Sequence, residues 1–288
     1  QGAKLYLIYF TSAELPPPPL RAVSGPDGSF RFSVAKSEFR GRGEAHEPWL
    51  LSGVVAVADK LGLGWQSGLL LDATGQIAEL AKSMPGYSPE MVKKAIPDDR
   101  RKPVIRLVRD DVPITGRILD DKGQPVAGAT LQLLEIQTGV RHDLNDWLNA
   151  VEKQKADHYQ AQMYVPDGLT GHLRRQLPHL VPAATTDQDG RFRLLGAGRE
   201  RIVRLQLSGP GIATERLYAR TRPGATLQVQ EQSDYPSSRK VTYYGADFEY
   251  KARPSRPIVG VVRDQDSKTP LENVVVEGYK VAGDAMHG

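Results

Sequence analysis

Across residues 113–134, PITGRILDDKGQPVAGATLQLL, apolar and polar positions alternate with a period of two. Ile114, Gly116 and Ile118 fall on one face and Thr115, Arg117 and Leu119 on the other, the pattern of a strand. Asp120, Asp121, Lys122 and Gly123 are turn formers, and Pro125-Val126-Ala127-Gly128 leads into a second run, Thr130 to Leu134. The stretch reads as strand, turn, strand, and nothing in it carries chemistry.

The pattern returns at Pro257, where Ile258-Val259-Gly260-Val261-Val262-Arg263-Asp264 is followed by a polar turn and then by Pro270-Leu271-Glu272-Asn273-Val274-Val275-Val276. A shortened copy opens the chain. Gln1 to Ile8 lines up with Ala127 to Leu134, so the chain is expected to begin inside a repeat whose first strand is missing.

A second motif repeats as well: Thr186-Asp187-Gln188-Asp189-Gly190-Arg191-Phe192-Arg193-Leu194 matches Ser24-Gly25-Pro26-Asp27-Gly28-Ser29-Phe30-Arg31-Phe32. Asp-Gly supplies a turn in each, and Phe30 and Phe32, like Phe192 and Leu194, are placed to face a core. Val54 to Gly62 pairs with Val203 to Gly211, and Val104 to Leu107 with Phe248 to Tyr250. Each unit has about seven short strands separated by polar turns, which reads as an antiparallel sandwich. With its first strand missing, unit one is expected to expose an unpaired sheet edge beside Leu5, Leu7 and Phe10.

Between the common strands lie two insertions with helical period. Residues 72–102 hold Ser88-Pro89-Glu90, a helix start, and residues 139–182 hold Leu144, Trp147, Leu148 and Val151 on one helical face, with Asp143 placed as N-cap. Four consecutive prolines, Pro16 to Pro19, stiffen the connection between the first two strands, and a proline-reading partner would recognise such a run.

Composition narrows the classes. Hydrophobic content of 40% and charged content of 25% are those of a globular chain, and 28 Gly with 21 Pro favour turns and short strands over long helices. The absence of Cys removes disulfides, thiolate metal sites and Cys nucleophiles. Net charge is +4, but the basic runs are interrupted, as at Asp98-Asp99 before Arg100-Arg101-Lys102, which argues against nucleic acid. No apolar run approaches the roughly 20 residues of a membrane span, and the opening residues lack the layout of a signal peptide.

The residues Ile114-Thr115-Gly116-Arg117, Asp120 and Gly123 to Ala129, followed by Thr186 to Leu194, resemble the carboxypeptidase regulatory-like domain. The resemblance covers a nearly whole unit at about 112–253, a unit lacking its first strand at 1–111, and the start of a third, incomplete unit at 254–288. It implies an all-β fold: tandem seven-stranded Greek-key β-sandwiches of transthyretin-like, carbohydrate-binding-like type, here with short helical insertions. The insertions and the wording of Gly209 to Thr214 are similar to tandem arrays in large planctomycete-type bacterial proteins. Such arrays imply an envelope or extracellular location, or a cytoplasmic one where the array is fused to a sigma factor.

No candidate catalytic residue emerges. None of the six His has Glu three residues away, His46-Glu47 does not continue into a zinc-binding helix, and no nucleophile elbow or phosphate loop occurs, so no metal, no cofactor and no enzyme are expected. The acidic pairs Asp187 with Asp189 and Asp264 with Asp266 alternate as in calcium loops, yet lack the bidentate Glu, and read better as turns. Trp65, Tyr243 and Tyr244 stand at the ends of expected strands, where exposed rings would stack on sugars. The function expected is a non-catalytic structural or protein-interaction module within a larger bacterial protein; the alternative is a carbohydrate-binding module using those three aromatics. The expected partners are other domains of the parent chain, and possibly a protein or a glycan.

Overall fold

The computed structural model describes residues 2–9, 17–35, 38, 52–67, 88, 90–91, 104–139, 141–153, 156–165, 167–169, 177–230, 240–255 and 259–274. They fall into two compact units, residues 1–254 and 255–288. The fold is mostly β-sheet with short helices.

In residues 1–254 the elements run β1 (Lys4–Tyr9), β2 (Leu20–Val23), β3 (Ser52–Val57), β4 (Gly64–Ser67), β5 (Ile114–Leu119), β6 (Thr130–Thr138), α1 (Asn145–Glu152), α2 (His158–Gln162), β7 (Asp167–Leu169), α3 (Leu177–Leu180), β8 (Ala184–Thr185) and β9 (Arg191–Leu194). They continue as β10 (Ile202–Gly209), β11 (Ile212–Arg220), β12 (Leu227–Gln230), β13 (Lys240–Tyr244) and β14 (Asp247–Lys251). Among the described residues these form three sheets: β2-β1-β3-β4, then β12-β13-β11-β10-β6-β7 with β8 also on β6, then β14-β5-β9.

The strand, turn and strand read in residues 113–134 are present as β5, the turn at Asp120 and β6, but the two strands do not pair with each other. β5 and β6 lie in different sheets: β5 runs antiparallel to β9 and parallel to β14, whereas β6 pairs with β10, β7 and β8. The turn at Asp120 crosses from one layer of a sandwich to the other. Ile114 and Ile118 of β5 then share one buried cluster with Leu131, Leu133, Leu205, Leu207 and Leu217 of the larger sheet. Period two names the buried face of a strand but not the layer it joins.

Gly116 sits where β5 must be narrow. A Cβ there would lie 1.9 Å from the Phe248 carbonyl oxygen and 3.1 Å from the Phe192 ring, so a glycine lets both neighbours close on the strand.

Two places where the sequence repeats carry matching hydrogen bonds. Gly128 and Thr186 are joined by Gly128 N–H to Thr186 O, Thr186 N–H to Ala129 O and Ala129 N–H to Thr186 Oγ1. Gly2, Ser24 and Ala3 make the same three bonds. The turns at Asp187–Arg191 and Gly25–Ser29 likewise share their closing bonds.

β1 is therefore the counterpart of β6, and it is an interior strand. It pairs with β2 on one side and β3 on the other, with Leu5 opposite both Ala22 and Ala56. The expected open edge beside Leu5 and Leu7 is corrected accordingly; Phe10 lies outside the described residues. One face of this sheet, Leu5, Leu7, Val54 and Ala56, packs on Phe30, Phe32, Val34, Ile105 and Leu107, and the other face contributes Ile8, Val55 and Trp65 to the cluster that contains β5 and β6.

The insertion at 139–182 is partly described. Leu144, Trp147 and Val151 are buried and Leu148 is half-buried, in a cluster with Ala161, Val165, Ile202, Val229 and Tyr243. α1 starts two residues later than Asp143, whose carboxylate instead accepts the Asn145 N–H at 2.9 Å. In α2, Asp157 and Gln160 form a reciprocal capping box. In the earlier insertion Ser88 Oγ accepts the Met91 N–H at 3.2 Å, and the stretch 76–82 lies outside the described residues.

In residues 255–288 a short turn is described. Leu271 N–H donates to Val262 O, Asp264 N–H to Thr269 O, and Arg263 bridges Pro270. The chain after β5 makes the same set through Val126 to Ile118, Asp120 to Gln124, and Leu119 with Pro125.

Candidate functional site

Within residues 1–254 a polar seam joins the two repeats. Leu61 bridges Arg109, and Gly62 N–H donates to Val108 O at 2.9 Å, which places the loop 59–63 beside residues 108–109. Leu63 N–H donates to Gly196 O and Arg199 N–H to Arg109 O, both at 2.9 Å. Gly62 and Gly198 meet backbone to backbone, since a Cβ on Gly62 would stand 2.3 Å from Gly198 Cα.

Asp110 holds the seam. Its two carboxylate oxygens accept the N–H groups of Gly196 at 2.7 Å and Gly198 at 2.9 Å. Both glycines have positive φ, and the N–H groups on either side of Ala197 turn toward one anion. Arg199 closes the rim on Asp111 with an Nε distance of 2.8 Å, and the Arg201 guanidinium lies 4.6 Å over the Trp65 ring. No motif marks Asp110; the signal is only an acid at the end of one unit and two glycines one residue apart in the next.

A second polar centre lies behind the three-stranded sheet. Glu215 on β11 is 7% exposed and accepts from Arg253 N–H and Nε at 3.2 Å, from Arg253 Nη2 at 3.3 Å and from the Tyr250 hydroxyl. Burial pushes its carboxyl up, but the bonds from Arg253 and Tyr250 outweigh this and hold it below the ordinary carboxylate range. Tyr250 is pushed well above the ordinary phenol range by burial and by its bond to the Glu215 carboxylate. A carboxyl lowered by folding contributes stability above its unfolded value of 4.5, lost as pH falls below it. Stability of the native chain is therefore expected to fall through the acid range below pH 4.5 more steeply than that of Glu215→Gln, measured by urea unfolding across pH. Parallel slopes would remove Glu215 from the acid response.

Of the three expected sugar-stacking residues two are buried and one is half-buried. Trp65 is buried under Arg201. Tyr243 is fully buried, with ring centroids 4.9 Å from Trp147 and 5.1 Å from Tyr218 and its hydroxyl 2.8 Å from His158 Nδ1. Tyr244 is half-buried against Phe248 at 4.5 Å. The aromatic platform is corrected on this ground: Trp65 packs under Arg201, Tyr243 on Trp147 and Tyr218, and Tyr244 on Phe248 and Tyr250, so the three rings share no exposed face. His158 is the member of that nest which sequence spacing does not single out.

The acidic pairs are turns. Asp187 Oδ1 accepts the N–H groups of Asp189 and Arg191, and Asp264 Oδ1 those of Asp266 and Ser267. Among the described residues no group of three or more His, Asp and Glu is placed to hold a metal ion, and no helix is long and apolar enough to cross a membrane.

No family model matches the chain, and no curated protein matches it. Similar solved structures include hydroxyquinol 1,2-dioxygenase from Pseudomonas putida DLL-E4, at 17% identity over 51% of this chain and 58% of that one, with a TM-score of 0.22. The full-length major pilin RrgB from Streptococcus pneumoniae is 12% identical over 54% of this chain and 32% of that one, with a TM-score of 0.25. Catechol 1,2-dioxygenase from Pseudomonas arvilla C-1 is 14% identical over 56% and 55%, with a TM-score of 0.21. The chain thus spans from about a third to less than two thirds of these structures. The expectation that the chain is no enzyme is corrected by this finding: similar structures include two dioxygenases, so missing motifs are no ground for setting catalysis aside. At these TM-scores the likeness carries no argument for any particular reaction.

Proposed function

We propose that the chain is a structural or protein-interaction module of a larger bacterial protein, in which residues 1–254 act as one rigid spacer. The observation that carries the reading is the seam. A tether between independent domains needs only a polar linker, whereas here Asp110 binds the Gly196–Gly198 loop through both oxygens and the hydrophobic cluster runs on from Ile8, Val55 and Trp65 into β5 and β6. Rigidity between repeats is what a spacer requires and what a flexible array of binding modules does without.

Calorimetry of the full chain tests it. Residues 1–254 are expected to melt in one cooperative transition, and Asp110→Ala to lower that whole transition. Loss of two charge-assisted bonds at about 2 kcal/mol corresponds to roughly 4–8 °C for a chain of this size. Two separate transitions, with Asp110→Ala leaving both in place, would overturn the spacer.

A further inference from the structure

The loop 196–201 takes positive φ at three places, and at two of them the chain supplies glycine, Gly196 and Gly198. At the third stands Glu200, with a φ of 59°. The left-handed region favours glycine, and a glutamate persists there when its surroundings hold it.

What holds it is the insertion. Glu200 Oε2 accepts the Leu144 N–H and Arg222 Nη1, each at 3.1 Å, and Arg222 Nη1 also donates to Asn145 Oδ1 at 2.8 Å. Leu144 is the residue from which α1 starts, and it has no side-chain oxygen with which to cap the helix. A carboxylate from 56 residues further along stands there instead, at the end of the helix that favours an anion.

The residues on either side of Glu200 face the other way. Arg199 binds Asp111 through its side chain and Arg109 O through its N–H, and Arg201 lies over Trp65, all in the first repeat. The backbone between them is tied to the end of β11, with Glu200 N–H on Thr221 O at 3.1 Å and Arg201 N–H on Thr221 Oγ1 at 2.8 Å. Three consecutive residues therefore address the first repeat, the insertion and the first repeat again.

α1 has two states to offer. Its eight residues are too few to persist in water, so it is helical when Trp147 and Val151 are docked in their cluster, and the Leu144 bond to Glu200 belongs to that state. Once α1 leaves, Arg222 remains on Glu200, but the two side chains are 34% and 24% exposed, which makes the pair a weak hold.

We propose that the insertion sets the stiffness of the joint between the two repeats. With α1 docked, Glu200 is kept left-handed and Arg199 and Arg201 grip the first repeat; with α1 released, the backbone at Glu200 relaxes and the grip loosens. Such a coupling is reciprocal, so loosening the seam also weakens the docking of α1. A partner that takes hold of α1 is then felt as a change in the flexibility of the spacer. The inference rests on the spacer reading and names its regulation.

Hydrogen exchange, followed amide by amide, tests it. Glu200→Ala reads the coupling without touching the core: it keeps an L residue at positive φ and removes the carboxylate. The seam amides of Leu63, Gly198 and Arg199 are expected to exchange at least fivefold faster than in the native chain, while Ile118, bonded to Gly190 O, is unchanged. In Trp147→Ala the same seam amides should exchange at least tenfold faster, together with those of 145–152. Asp110→Ala should in turn speed exchange across 145–152.

Glu200→Gly is the uncoupling control. Glycine takes the left-handed backbone freely and has no side chain to report on α1, so the seam should stay protected, and adding Trp147→Ala should no longer expose it. The proposal is overturned by seam amides as slow in Trp147→Ala as in the native chain while 145–152 exchange freely. Native exchange in Glu200→Ala, or a seam that still loosens when Trp147→Ala is made in the Glu200→Gly chain, would overturn it as well. Each of these results leaves the single calorimetric transition and its response to Asp110→Ala in place, so the spacer reading would stand without its control.

Discussion

Gly116→Val is expected to destabilise residues 1–254 by more than about 4 kcal/mol, the range of severe core lesions. Nothing about the residue type predicts so much; the neighbours do. The added Cβ would fall 1.9 Å from the Phe248 carbonyl oxygen, far inside contact distance, and 3.1 Å from Phe192 Cε1. Neither can withdraw cheaply. Phe248 is in ladder register opposite Gly116, with Asp247 and Lys251 pinned to Thr115 and Leu119, and Phe192 packs edge-on against Phe248 at 5.5 Å.

Because β5 is the centre of its sheet, pushing β14 aside also loosens β9. Relief would require the whole three-stranded sheet to re-register, and a one-residue slip would turn Ile114 and Ile118 out of the core. Urea unfolding followed by Trp fluorescence measures it. A loss under about 1 kcal/mol would mean that the β5–β14 register is wrong. The same substitution at Gly260 is expected to be silent, because what differs between the two sites is the presence of a neighbouring strand.

That contrast shows what the sequence makes legible. The alternation of Ile114, Gly116 and Ile118, the turns at Asp27 and Asp189, and the helical face of Leu144, Trp147 and Val151 are local regularities, and each corresponds to a buried face or a bonded turn. Partnership is not local. Nothing in Pro113 to Leu134 says that its two strands belong to opposite layers, or that Leu5 is flanked on both sides.

Residue identity also misleads alignment. The counterpart of Gly211, with φ +71°, is Lys60 at φ +62°, so matching glycine to glycine shifts β3 against β10 by two residues. Asp110 is illegible for another reason: its partners are backbone N–H groups, which any sequence carries. Trp65 and Tyr243 read as surface rings because aromatic character is the same inside and out. What buries them is Arg201 in one case and the α1 and α2 insertion in the other.

Trp147→Ala tests that insertion. The side chain is fully buried and its ring stands edge-on to Tyr243 at 4.9 Å, in a cluster that draws Ile202 from β10, Val229 from β12 and Tyr243 from β13. Removing it is expected to cost about 3–5 kcal/mol through lost transfer and an unfilled cavity. Trp147→Phe should keep most of that, since an aromatic edge can still meet Tyr243. α1 has eight residues, too few to persist in water without its docking face.

Hydrogen exchange should therefore show the amides of 145–152 losing protection first in Trp147→Ala, followed by β12 and β13, while β5 and β9 retain theirs. Unchanged stability with fast exchange already present in the native chain would mean that α1 rests on the sandwich without belonging to it. If the expected losses are seen, deleting 139–182 to look for a lost partner tests folding rather than binding. The exposed side chains Met163 and Tyr164, which the cluster does not use, are then the positions at which a partner contact on the insertion can be separated from the fold.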